Sequence, residues 1–187
     1  NKDGLVITSA NNTILGLTIR KFQNGIKLQG AGSTGNILGG DRALGSSSTA
    51  SEKGNGQGLR LSQNTNAGIV LTTGASGNTV KGCWVGVDRA GTAAEANTYG
   101  IYIDTGSANN VLGSTVASEA NIVSGNSDAG IVVTDSSSDN NRIIGSLIGA
   151  GVGAVPRLAR GFNPVASRDT LPNRVANRFN GVVFSNV

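Results

Sequence analysis

The chain has 187 residues, a net charge of +4, one Cys, three Pro, and neither His nor Met. A lone Cys excludes an internal disulfide. The lack of His removes the commonest general base, the Ser–His nucleophile pair and most zinc sites, and no apolar run approaches the eighteen residues of a membrane-spanning helix.

Two kinds of short apolar stretch recur along the chain. One opens on glycine: Gly25-Ile26-Lys27-Leu28, Gly68-Ile69-Val70-Leu71, Gly100-Ile101-Tyr102-Ile103, Gly130-Ile131-Val132-Val133 and Gly181-Val182-Val183-Phe184. The other opens on asparagine and alternates between long and short forms. The long form is Asn12-Thr13-Ile14-Leu15-Gly16-Leu17-Thr18-Ile19, with counterparts from Asn78 to Val85 and from Asn141 to Ile148. The short form is Asn36-Ile37-Leu38-Gly39 and Asn110-Val111-Leu112-Gly113. Gly68 and Gly130 are 62 residues apart, and Asn78 and Asn141 are 63 apart, so the repeating unit is a pair of turns.

Within each stretch, inward and outward side chains alternate, which is the period of a strand and not of a helix. The punctuation is Gly, Asn, Ser, Thr and Asp, residues that accept left-handed backbone or bond their own main chain. Short strands and sharp turns at this spacing describe a solenoid, in which one coil alone cannot bury its apolar face and stacking is obligatory. The stacked columns are predicted to be Ile26, Ile69, Ile101, Ile131 and Val182 beside Leu28, Leu71, Ile103, Val133 and Phe184. Asn36, Asn78, Asn110 and Asn141 are predicted to form a ladder at one corner.

The Gly-Ile-x-Ile and Asn-Thr-Val-x-Gly-x-x-Val-Gly patterns resemble the right-handed parallel β-helix repeat of the pectin-lyase-like superfold. The paired-turn form is similar to repeat arrays in secreted and surface proteins of bacteria and archaea. The resemblance covers roughly residues 4–149 and 180–187. It implies an all-β solenoid of about 6–7 coils forming one domain over residues 1–187, a segment of a longer solenoid or one whose ends meet other subunits. It does not select a function, because lyases, hydrolases, epimerases, tailspikes and adhesins share the superfold.

Three excursions break the repeat. Residues 41–56 lengthen one turn: Asn36 to Gly68 spans 32 residues, whereas Asn110 to Gly130 spans 20. They read as a polar loop. Residues 86–97 read as a turn extension in which Asp88 and Arg89 are either solvated or ligand-facing. Residues 150–180 form an irregular basic excursion with all three prolines and with Arg157, Arg160, Arg168, Arg174 and Arg178 against one acid, Asp169. Those arginines either bond backbone carbonyls of the coils or dock an acidic polysaccharide or a protein partner.

Few residues can carry chemistry. Cys83 falls in the column of Leu17 and Ser146 and reads as a small buried residue. Asp104 and Asp135, with Asp139 as a third, lie near the ends of successive strands, where paired carboxylates serve a glycosidase or hold calcium. A base such as Arg142 or Lys81 would have to join them; corner formation is the competing account. Trp84, between inward-facing Cys83 and Val85, is predicted to face outward, positioned to stack on a sugar or anchor a partner, or to lie under the basic excursion. Aromatic residues make up 4% of the chain, which argues against a nucleic-acid groove.

The expected molecule is a non-catalytic extracellular or cell-surface β-helix of a prokaryote, acting as a scaffold, adhesin or assembly element. It would use no metal or cofactor unless calcium binds the aspartates, and would neither enter a membrane nor bind nucleic acid. A polysaccharide-binding or polysaccharide-degrading β-helix is the alternative, and a filament or tube subunit the second.

Overall fold

A computed structural model describes residues 2–44, 56–149 and 180–185. The first coil contains β1 (Leu5–Ile7), β2 (Thr13–Ile14) and β3 (Thr18–Arg20), and the second β4 (Ile26–Gln29), β5 (Ile37–Leu38) and β6 (Arg60–Ser62). The third contains β7 (Ala67–Thr72), β8 (Thr79–Val80) and β9 (Trp84–Val85), and the fourth β10 (Tyr99–Ile103), β11 (Val111–Gly113) and β12 (Ile122–Val123). The fifth contains β13 (Ala129–Thr134), β14 (Arg142–Ile144) and β15 (Leu147–Ile148); β16 (Asn180–Ser185) opens a sixth. All named strand pairs are parallel, in three sheets: β1-β4-β7-β10-β13-β16, β2-β5-β8-β11-β14 and β3-β6-β9-β12-β15. Crossovers between parallel strands are right-handed, and the molecule is a right-handed parallel β-helix.

The described residues form five complete coils, and β16 opens a sixth. The long and short asparagine stretches belong to coils of the same plan. In the long form, the strands of the second and third sheets follow directly, as in β8 and β9. In the short form the same two strands are separated, by residues 39–59 in the second coil and by residues 114–121 in the fourth.

The first sheet supplies two core columns. Register pairs Leu5, Ile26, Ile69, Ile101, Ile131 and Val182 in one, and Ile7, Leu28, Leu71, Ile103, Val133 and Phe184 in the other. The second sheet adds Ile14, Leu38, Val80, Leu112 and Ile143, and the third adds Ile19, Leu61, Val85, Val123 and Ile148. In coils two to four these side chains are fully buried, each worth ~1.5–3 kcal/mol relative to exposure.

The corner between the first and second sheets carries the asparagine ladder, and it begins one coil earlier than predicted. The backbone N–H and Nδ2 of Asn12 both donate to Asn36 Oδ1, at 2.9 and 2.8 Å. The same two-pronged contact joins Asn36 to Asn78, Asn78 to Asn110, and Asn110 to Asn141. The residue before each rung has positive φ: Asn11, Gly35, Gly77, Asn109 and Asn140. Only Gly and Asn take that left-handed conformation readily, and the reversal turns the next side chain inward. A second ladder joins Asn64, Asn97 and Asn126 at the corner between the third and first sheets.

At the corner between the second and third sheets, Gly82 has φ +61°, and a Cβ there would run into the carbonyl oxygen of Gly40 on the preceding coil. The loops of coils two and four meet over this tight corner. The Arg42 amide donates to Ser118 O at 3.0 Å, and the Gly82 amide donates to Glu119 O at 2.6 Å. The long–short alternation therefore has a physical cause: each wide turn leaves room for a loop, and two such loops close over the tight turn between them.

Asn78→Ala strands the Asn36 amide and side-chain donors in a buried column, and is expected to cost roughly 2–5 kcal/mol in urea unfolding; Asn12→Ala, at a half-exposed rung, should cost under about 1 kcal/mol. Gly82→Ala combines left-handed strain with a backbone collision and is expected to lose roughly 2–4 kcal/mol, read as a lowered thermal midpoint.

Candidate functional site

Asp104 and Asp135 both lie where the first sheet turns into the second, but they are not equivalent positions. Register pairs Ile103 with Val133, which puts Asp104 opposite Thr134 and Asp135 opposite Thr105. Asp135 has φ +68° and occupies the left-handed corner position held in the preceding coils by Gly30, Thr73 and Thr105. Its carboxylate accepts from the Ser137 amide and hydroxyl, each at 2.8 Å, from the Ser138 hydroxyl at 3.0 Å and from the Gly106 amide at 3.3 Å. These bonds, led by the Ser137 amide, hold its pKa down at about 2. An Asp bonded in this way is a fixed corner brace, far too weak a base for proton abstraction. Asp104 accepts from the Thr105 hydroxyl at 3.0 Å, and the exposed Asp139 accepts the Asn109 amide through its backbone carbonyl.

Of the two proposed basic partners, Lys81 is engaged away from these carboxylates. Lys81 lies at the other end of the second sheet, where its Nζ contacts Glu119 Oε1 at 2.7 Å. Glu119 is held further by the Ser114 hydroxyl at 2.7 Å, and the Lys81 and Ser114 bonds lower its pKa. Arg142 projects from an exposed position on β14. Among the described residues, no three His, Cys, Asp or Glu side chains converge as a metal-ion site would require.

Trp84 lies on the flank of the third sheet, half-buried, with the Arg42 guanidinium 3.9 Å above its ring centroid. Arg42 also donates to Gly82 O at 3.1 Å, and burial lowers its pKa to about 10, which leaves it charged at neutral pH. Arg60 is the register partner of Trp84 on the adjacent strand. It lies 3.7 Å from Glu95, which also pairs with Arg20 at 3.0 Å and accepts from the Ser62 hydroxyl at 2.8 Å. Glu95 thereby ties residues 86–97 back onto the third sheet. Within that loop Asp88 accepts from the amides of Thr92 and Ala93, at 2.7 and 3.1 Å, and so forms a local turn. The flank is thus a Trp–Arg surface bordered by two ion-pair clusters. Arg157, Arg160, Arg168, Arg174 and Arg178 lie outside the described residues.

Cys83 lies beneath this surface, fully buried. Its thiol is 3.3 Å from Lys81 O and 3.5 Å from Leu38 O, and burial pushes its pKa up to about 12. It is a neutral packing residue, as its column predicted.

The sequence reading missed three features: the cation–π pair, the Glu95 cluster and the second asparagine ladder. The ladder had a legible signal, since Asn64, Asn97 and Asn126 each stand three or four residues before the glycine of the next coil. The other two join residues 42 and 75 positions apart, a separation to which local spacing is blind.

No similarity emerges to any curated protein or to any solved structure. A family profile described as "Periplasmic copper-binding protein (NosD)" matches residues 1–145, which takes in the first four coils and the fifth as far as Gly145. With that match spanning most of its 187 residues, the chain belongs to the NosD family.

Proposed function

We propose that this chain is a non-catalytic β-helix scaffold of the periplasm that presents the flank of its third sheet to a partner. Membership of a family described as periplasmic supports a location outside the cytoplasm. Among the described residues, no helix is long and apolar enough to cross a membrane. The carrying observation is how the ionisable side chains are used. Asp135 braces a corner, Glu119 and Lys81 tie the fourth coil's loop to the Gly82 corner, and Glu95 ties a loop through two arginines. General acid–base catalysis needs a group free to exchange its proton at a substrate, and these carboxylates are engaged in the fold.

A second reading, binding of an acidic polysaccharide, is favoured by the half-buried Trp84 with the charged Arg42 guanidinium stacked on it. An indole face stacks on a sugar ring while guanidinium groups pair with its carboxylates. Trp84 is the chain's one Trp, so its fluorescence reports this surface alone.

The scaffold reading expects no release of product from polygalacturonate or alginate. Turnover by the native chain that Asp104→Ala or Asp135→Ala abolishes would replace it with an enzyme. In the same samples, polysaccharide binding would shift and quench Trp84 emission saturably, with the response weakened at least tenfold by Arg42→Ala, the loss of roughly 1.4 kcal/mol that one charge-assisted contact supplies. An unchanged spectrum leaves protein contact as the use of this flank.

A further inference from the structure

The family's description names copper, and the donor atoms of this chain do not suit it. Copper sites in proteins are built from thiolate and thioether sulfur and from imidazole nitrogen, with tetragonal N,O sets for the oxidised ion. The whole sequence contains no His, no Met and one Cys. That inventory covers every residue of the chain, including residues 45–55 and 150–179. We infer that this β-helix holds no copper site of its own, and that any part it takes in copper handling is by contact with other molecules and not by ligation.

The one soft donor is withheld by geometry as well as by number. Cys83 Sγ faces two backbone carbonyl oxygens inside the coil. Its own amide is fixed to Asn121 Oδ1 at 2.9 Å, and the Asn121 side chain in turn donates to Val80 O at 2.8 Å. Outside it lies the Gly82 corner with the Arg42 guanidinium bonded to it, a cation across the path of any metal ion. A metal would have to displace the thiol proton, and burial favours the protonated form strongly. A thiolate shared between two copies is ruled out by the same burial. Carboxylates alone remain, and among the described residues they do not gather in threes.

Copper uptake by the purified, untagged folded chain decides the matter. The chain is dialysed to equilibrium against Cu(I) under reducing conditions with a bicinchoninate competitor, and separately against Cu(II), and the retained metal is measured by mass spectrometry. The expected result is copper at the level of the protein-free blank in both oxidation states, with Cys83→Ser indistinguishable from the native chain. Cys83 should also stay unreactive toward a disulfide reagent until urea unfolds the coil. Stoichiometric copper kept by the folded chain against the competitor would overturn the inference, and its loss in Cys83→Ser would place the metal on that sulfur.

Discussion

Adjacent windings of a parallel β-helix lie one strand spacing apart, about 4.8 Å. At that distance each residue's nearest neighbours are its own equivalents above and below. A side chain can occupy a position only if it tolerates a near-copy of itself in contact. Aliphatic residues meet this condition by packing, and their columns supply most of the stabilisation. Asparagine meets it by hydrogen bonding, because its amide is at once donor and acceptor: Asn78 receives from Asn36 through the same oxygen-and-amide arrangement by which it donates to Asn110. A carboxylate cannot do this, since equal charges would be stacked. Where Asp135 appears, its column holds Gly30, Thr73 and Thr105.

The two kinds of column do different work. Apolar packing is permissive about register, while the ladder is not. A slip of one residue would send each inward side chain to the solvent face and leave buried amides unmet. The asparagines therefore add modest energy per bond and a large penalty for misalignment. Their rungs are buried in the middle coils and half-exposed at Asn12 and Asn141, so the alignment is strongest where the core is driest.

The fold was legible because its rule is local. Gly-Ile-x-Ile recurs at each coil, and the two core columns of the first sheet and four rungs of the ladder follow from counting. Outward placement of Trp84 follows from alternation with Val85. What counting could not reach depends on loops that return to the coil from a distance. Arg42 comes to Trp84 from an excursion of the preceding coil, and Glu95 joins Arg20 from two coils away. Asp104 stands four residues after Gly100 and Asp135 five after Gly130, and the register keeps that difference of one position, so the two carboxylates occupy different columns. The basic stretch with Arg157, Arg160, Arg168, Arg174 and Arg178 lies outside the described residues.

The closure of two loops over Gly82 bears on how such a chain changes length. Winding three sits tightly because windings two and four overhang it. Removing or duplicating a lone winding would set two overhangs face to face or leave two narrow bends without a cover. Recombination that preserves the fit must exchange windings in twos, so descendants of this gene should differ by even numbers.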